Sequence, residues 1–123
     1  MKIIRKTDAV SVSKPEGTHV TYYLFDEYEI HINQQLPHTI QTWHHHKKIW
    51  ETLCVLEGEL TAYWKENEEI KKQIVRAGDI VENEHTPHTF SNDSDKVVKF
   101  MVIKQVLTGE NKKELFRTDK ILD

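Results

Sequence analysis

Cysteine, proline and glycine are all scarce in this chain of 123 residues, with one Cys, three Pro and four Gly. A lone thiol, Cys54, cannot form an intramolecular disulfide. Its setting in "TLCVL" reads as a small buried hydrophobe, because no basic neighbour in sequence favours a thiolate. No segment has linker composition and no internal repeat is present. The G-x-S-x-G, P-loop and dinucleotide fingerprints are missing as well, which removes the commonest nucleophilic and phosphate-cradling mechanisms. A basic excess is also lacking: the formal net charge is −3 and the charges are mixed along the chain. That speaks against a nucleic-acid-binding face, and no Lys/Arg block offers a polybasic membrane anchor. The start "MKIIRKTDAV" has no long apolar run of the secretory kind, and no later stretch approaches bilayer-spanning length. A cytoplasmic protein is expected, organised as a single domain over 1–123.

What the sequence does contain is a succession of short β-rich segments. "VTYYLFDEYEIHI", "WETLCVLEGELTAYW", "KQIVRAGDIV" and "KVVKFMVIKQV" are rich in β-branched and aromatic residues. Turn signals separate or interrupt them at "KPEG", "LEGE", "KENEE", "RAGD" and "SNDSD". This rhythm predicts an all-β sandwich or barrel. Gly58 and Gly78 read as turn glycines at positive φ, and Asp79 as a residue that bonds backbone in its turn and starts a strand. The tail "TGENKKELFRTDKILD", residues 108–123, fits a helix or an extended arm equally well. In "ETLCVLE", Leu53 and Val55 share one face and Cys54 and Leu56 the other, since side chains alternate along a strand. Both faces are apolar, so the outer one needs cover from a strand, a terminal arm or a second subunit.

Histidine is abundant and clustered. In "TWHHHKKIWE", if the histidines end a strand, His44 and His46 point to one side about 7 Å apart while His45 points away. An antiparallel hairpin would then return Glu51 toward the same point. A second cluster, "ENEHTPHTFSN", offers His88 at strand period before Phe90, with His85 in a loop upstream. Three imidazoles and a carboxylate suit a first-row transition metal. The competing reading of the same run is a solvated surface segment that meets metal only adventitiously, with His45 exposed or supporting.

The conjunction of the two clusters resembles the cupins. Their first motif runs G-x5-H-x-H-x(3,4)-E-x6-G, and His44, His46, Glu51 and Gly58 match it in spacing. Their second runs G-x5-P-x-G-x2-H-x3-N, and Gly78, His88 and Asn92 match its anchors, with Asp79 and Phe90 in commonly acidic and aromatic places. Three departures stand out. His38 replaces the opening glycine, Asn83-Glu84-His85 replaces Pro-x-Gly, and nine residues separate Gly78 from His88 where the pattern has ten. The resemblance implies an antiparallel, conical jelly-roll barrel, with a core from about 20 to 105 and terminal segments packed outside. It also implies one divalent transition metal held by His44, His46, Glu51 and His88, with Fe, Mn, Ni, Cu and Zn all compatible with the ligand set.

Enzymatic cupins include isomerases, epimerases, decarboxylases, lyases and dioxygenases. By that resemblance a metal-dependent enzyme acting on a small oxygen-rich molecule is expected, with Glu84 or His85 as candidate acid or base. The alternative is a non-catalytic cupin that binds a sugar or carboxylate beside a structural or ligand-holding metal. Tyr22, Tyr23, Phe25 and Trp43 are candidates to line the cavity, although alternation permits only some of them. A homodimer is expected, covering Cys54 and Leu56, because the family commonly pairs barrels.

Overall fold

Alternation along a strand buries every second side chain, and Ile49–Glu57 shows the rule at work: Ile49, Glu51, Leu53 and Val55 are buried, while Trp50, Thr52 and Cys54 are half-buried. The computed structural model describes residues 1–106 and 112–123. After a short 3-10 turn at Lys6–Asp8 come β1 (Val10–Ser13), β2 (Thr18–Leu24), β3 (Tyr28–Gln35), β4 (Thr39–Ile40), β5 (His44–His46) and β6 (Ile49–Glu57). Then follow β7 (Glu59–Glu66), β8 (Glu69–Arg76), β9 (Ile80–Glu82), β10 (His88–Asn92), β11 (Val98–Val106), α1 (Lys112–Thr118) and β12 (Lys120–Leu122). Of the tail left open between helix and arm, residues 108–111 lie outside the described set, and the remainder is a short helix followed by a strand.

One sheet has the order β1-β2-β3-β11-β6-β9 and the other β12-β5-β10-β7-β8, with β4 joined to β10. All the pairings are antiparallel, as in the jelly roll that was expected. Leu53, Val55, Leu60, Ala62, Val75, Phe90, Val98, Phe100 and Val102 form the core between the sheets. The terminal strands β1 and β12 lie at the edges, β1 exposed along its length. No helix among the described residues is long and apolar enough to cross a membrane.

Two connections place the site. The chain does not return from β5 to β6 as a hairpin, contrary to the sequence reading: the two strands belong to opposite sheets. Lys47-Lys48 carries the chain across the sandwich, and Asp119, just before β12, holds that crossing by accepting the backbone N–H groups of Lys48 (2.6 Å) and Ile49 (2.7 Å). A second crossing occurs at Gly58, where φ is +86° and a Cβ would stand 3.0 Å from Val98 Cγ2. Gly78 is at φ +92°, and Asp79 accepts the Arg76 N–H at 2.8 Å, the turn role expected of it.

Expected cover over the outer face of β6 is incomplete. Cys54 is half-buried rather than buried, and Leu56 is 40% exposed beside the edge strand β9, whose Ile80 is 58% exposed.

Candidate metal centre

Strand β5 turns His44 and His46 inward and His45 outward, where His45 Nδ1 meets the Asp123 carboxylate at 2.6 Å. β10 pairs with β5 so that His88 is the register partner of His44, and their rings approach to 4.5 Å between centroids. Glu51 comes from the facing sheet. Its Oε2 lies 3.0 Å from His46 Nε2 and its Oε1 3.5 Å from His88 Nε2. One donor atom from each of His44, His46 and Glu51 lies within 4.8 Å of the others, a grouping that could hold a metal ion. His44, His46 and Glu51 thus come together from two sheets, and His88 stands beside them outside that three-residue grouping; all four are buried.

Two of the three imidazoles are oriented by backbone, whereas His46 sets Nε2 against Glu51 and leaves its buried Nδ1 without a hydrogen-bond partner among the described residues. His44 Nδ1 lies 2.9 Å from the Thr42 carbonyl and His88 Nδ1 2.6 Å from the Thr86 carbonyl, so each Nδ1 carries the proton and each Nε2 keeps its lone pair. This arrangement fixes the tautomer that a metal requires. Burial, with the proximity of His88, drives the His44 pKa down to about 3 despite the opposing pull of Glu51, so its ring is neutral. His88 Nε2 is buried with no hydrogen-bond partner, its contact with Glu51 being too long to count as one. Such an orphan is costly unless something else satisfies it. Three imidazoles, one carboxylate and an unsatisfied inward lone pair fit a divalent transition metal.

Glu51 is ionised. Burial alone would raise its carboxyl pKa, but the hydrogen bond from the His46 imidazole and the Lys104 ammonium, at 3.7 Å, hold it well below the usual range. Asn83 Nδ2 donates to Glu51 Oε1 at 2.7 Å. Neither Asn83 nor Lys104 stood out in the sequence reading. The signal for Asn83 was the departure from Pro-x-Gly; for Lys104 it was alternation, which sets it on the same face as Val98, Phe100 and Val102.

Glu84 and His85 stand elsewhere. His85 packs edge-on against Trp50 on the outer side of β6, with ring centroids 5.4 Å apart. Glu84 is exposed and lines a groove of about 780 Å³ between β7–β8 and β9, which His88 and Asn83 also reach. Both residues have positive φ, 49° and 61°, as does His38 at 55°, so both replacements in the glycine and proline pattern sit in turns of unusual backbone. On the other side of the cluster a smaller cavity of about 50 Å³ is bounded by His44, Glu51, Phe90, Phe100 and Lys104 among others. None of the proposed aromatic lining residues reaches it. Tyr22 packs on His31, Phe25 stacks on Tyr28, and Trp43 lies beneath Lys65. Asn92 closes the β10–β11 turn, donating to the Gln35 and Lys96 carbonyls and accepting from Ser94.

A family model described as the cupin domain matches residues 32–104, more than half of the chain, and the chain belongs to that family. Vicilin from hazelnut, Corylus avellana, superposes with a TM-score of 0.75 at 19% identity over 88% of this chain, which spans only 33% of the vicilin chain. A sugar phosphate isomerase of the cupin superfamily from Silicibacter pomeroyi gives 0.65 at 16% identity, over 78% of this chain and 68% of that one. An oxalate oxidase gives 0.68 at 20% identity, over 85% and 59%. Likeness at these identities is a likeness of fold. No curated protein matches the sequence.

Proposed function

We propose that this chain is a small single-domain cupin in which His44, His46, Glu51 and His88 hold one divalent transition metal, and that it acts as a metal-dependent enzyme on a small oxygen-rich organic molecule. The observation that carries this reading is the pair of inward Nε2 lone pairs on His44 and His88, each fixed by a backbone carbonyl at Nδ1, with a buried carboxylate beside them. A metal with open positions supplies Lewis acidity toward a carbonyl or enol oxygen, activation of water and, where it is iron, dioxygen chemistry. The protein's own groups do the positioning. Asn83 orients the Glu51 carboxylate, the Thr42 and Thr86 carbonyls hold the tautomers of His44 and His88, and Phe90 and Phe100 supply apolar lining to the adjoining cavity.

Isomerase or epimerase, lyase or decarboxylase, and dioxygenase activity are all compatible with this ligand set. Loading the metal-free protein separately with Fe(II), Mn(II), Ni(II) and Zn(II), then screening enols, 1,2-diketones, keto acids and uronate-type sugars while following dioxygen, separates them. Oxygen uptake with Fe(II) alone marks a dioxygenase; anaerobic turnover with several metals marks Lewis-acid chemistry. A second reading, a non-catalytic cupin that binds a sugar or carboxylate, draws support from the absence of Glu84 and His85 from the small cavity's lining. Binding without turnover, weakened by His46→Ala, would establish it. A homodimer belongs to the same proposal, supported by exposed Leu56 and Ile80 on the outer face and tested by light scattering of the eluting protein. A cytoplasmic setting is in keeping with the lone, unpaired Cys54.

A further inference from the structure

The small cavity beside the cluster carries charge of a sign that the chain as a whole does not. Its lining includes Lys14, Lys104 and Lys120, contributed by the turn before β2, by β11 and by β12. Among the described residues two carboxylates, Glu16 and Glu51, lie with them, although the chain's formal net charge is −3. Register explains the convergence. Lys104 is the cross-strand partner of Glu51, and Lys120 that of His46, so both ammonium groups are delivered to the rim by the strands that bear the cluster or flank it.

Both carboxylates are already engaged, Glu51 in part by Lys104 itself. Glu51 is shared among His46, Asn83 and Lys104, and Glu16 accepts the Thr42 hydroxyl at 3.1 Å. Burial lowers the pKa of Lys14, and Lys104 lowers it further by repulsion, while Glu16 and Glu51 oppose the shift through space. Like charges gathered in a partly dry recess are costly unless an anion joins them. The same lining includes Thr18, whose buried Oγ1 has no partner among the described residues. The open space of about 50 Å³ exceeds the roughly 10–15 Å³ that one water needs by the same measure and has room for a small acidic group.

We infer that the Lys14, Lys104 and Lys120 rim is an anion-binding subsite, and that the ligand of this cupin carries a carboxylate or phosphate next to the oxygen atoms it presents to the cluster. The inference rests on the proposed metal-site reading for the ligand's second point of attachment, but the lysine rim makes its own demand. With Glu51 engaged by a cation, Lys104 is left for the ligand's anion. A neutral sugar or polyol would leave the ammonium groups unanswered.

Matched probes test the rim by titration calorimetry on the full chain, with and without Zn(II): lactate against 1,2-propanediol, and glycerol 3-phosphate against glycerol. Each pair differs in its anionic group. The expected result is binding of an acid at least tenfold tighter than of its neutral partner, the tighter of the two acids telling carboxylate from phosphate. Lys104→Met and Lys120→Gln should each reduce that binding tenfold or more, and added salt should weaken it. Lys120 is exposed, so its replacement tests the rim even where Lys104→Met lowers the yield of folded protein. Equal affinity within each pair, or unchanged affinity in both variants, overturns the inference. Metal content measured on the same samples keeps the two ideas apart. Lysine-dependent anion binding by a protein that takes up no metal sustains the rim and sinks the metal site, whereas stoichiometric metal with indifferent lysines does the reverse.

Discussion

The two ends of β6, β10 and β11 bury side chains of opposite kind on one continuous face. Running inward along β6 come Glu51, then Leu53 and Val55; along β10, His88 and then Phe90; along β11, Lys104 and then Val102 and Phe100. A shift of two residues along each strand passes from an ionised carboxylate, an imidazole and an ammonium into a sealed apolar core. The difference teaches where stability and chemistry reside. At the apolar end every contact is cohesive. At the polar end buried charges offset one another but leave His46 Nδ1, His88 Nε2 and Thr18 Oγ1 unsatisfied among the described residues, a cost that is retained where a ligand relieves it.

The largest effect should come from the apolar end. Phe100 is 2% exposed within the core, and Phe100→Ala should cost about 3–5 kcal/mol in urea unfolding. A loss below about 1 kcal/mol would mean that the two ends are not energetically distinct. Next in size is acid sensitivity of the metal-free polar end. Unfolded His44 titrates near 6.5 and folded His44 near 3, so below 6.5 the unfolded chain takes a proton that the folded one refuses. Stability therefore falls as pH drops from 6.5 toward 3. Glu51 acts in the same sense at lower pH: its depressed folded pKa contributes stability above the ordinary carboxyl value that is lost as pH falls through the folded one. The sum should reach a few kcal/mol, and the His44→Gln unfolding curve should be flatter across that range.

A third prediction concerns metal rather than folding. Asn83→Ala removes the donor to Glu51 Oε1, and loss of such an outer partner should weaken metal affinity about 10–100-fold. Competition with a chromophoric chelator reads that change directly, and unaltered affinity would mean that Asn83 serves the loop and not the carboxylate.

Much of this comparison was legible in the sequence. Strand rhythm and turn signals gave the all-β fold, and the spacing of His44, His46, Glu51 and His88 named the residues that meet, because motif spacing encodes register within a few strands. What it could not encode is contact across long separations. The sheet crossing at Lys47-Lys48 replaces a hairpin because Asp119, distant in sequence, binds its backbone N–H groups. Lys120 reaches the cavity through the pairing of β12 with β5, which no local pattern in the tail announces. "VTYYLFDEYEIHI" read as one rich segment, yet it is two strands, β2 and β3, folded back on each other. Lys104 is the instructive omission, since alternation along "KVVKFMVIKQV" already put a lysine on the buried face.

The smallest effect compares two turns of like backbone. Asn67 and Glu68, at the tip of the β7–β8 hairpin, have φ of 51° and 66°; Glu84 and His85, in the loop that replaces Pro-x-Gly, have 49° and 61°. Two successive left-handed residues suit a type I′ turn, in which glycine is favoured at the second position. Glu68→Gly should therefore stabilise the protein by about 0.5–1 kcal/mol, since relief of the left-handed strain exceeds glycine's entropic cost. Metal affinity should not change, because the hairpin tip is remote from the cluster. His85→Gly relieves the same strain but removes the ring packed on Trp50, so its net effect on stability should be close to zero. If His85→Gly instead lowers metal affinity while Glu68→Gly does not, the left-handed pair in the 83–86 turn is what holds Asn83 to Glu51. Thermal melts and chelator titrations of the two variants, run side by side, decide the point.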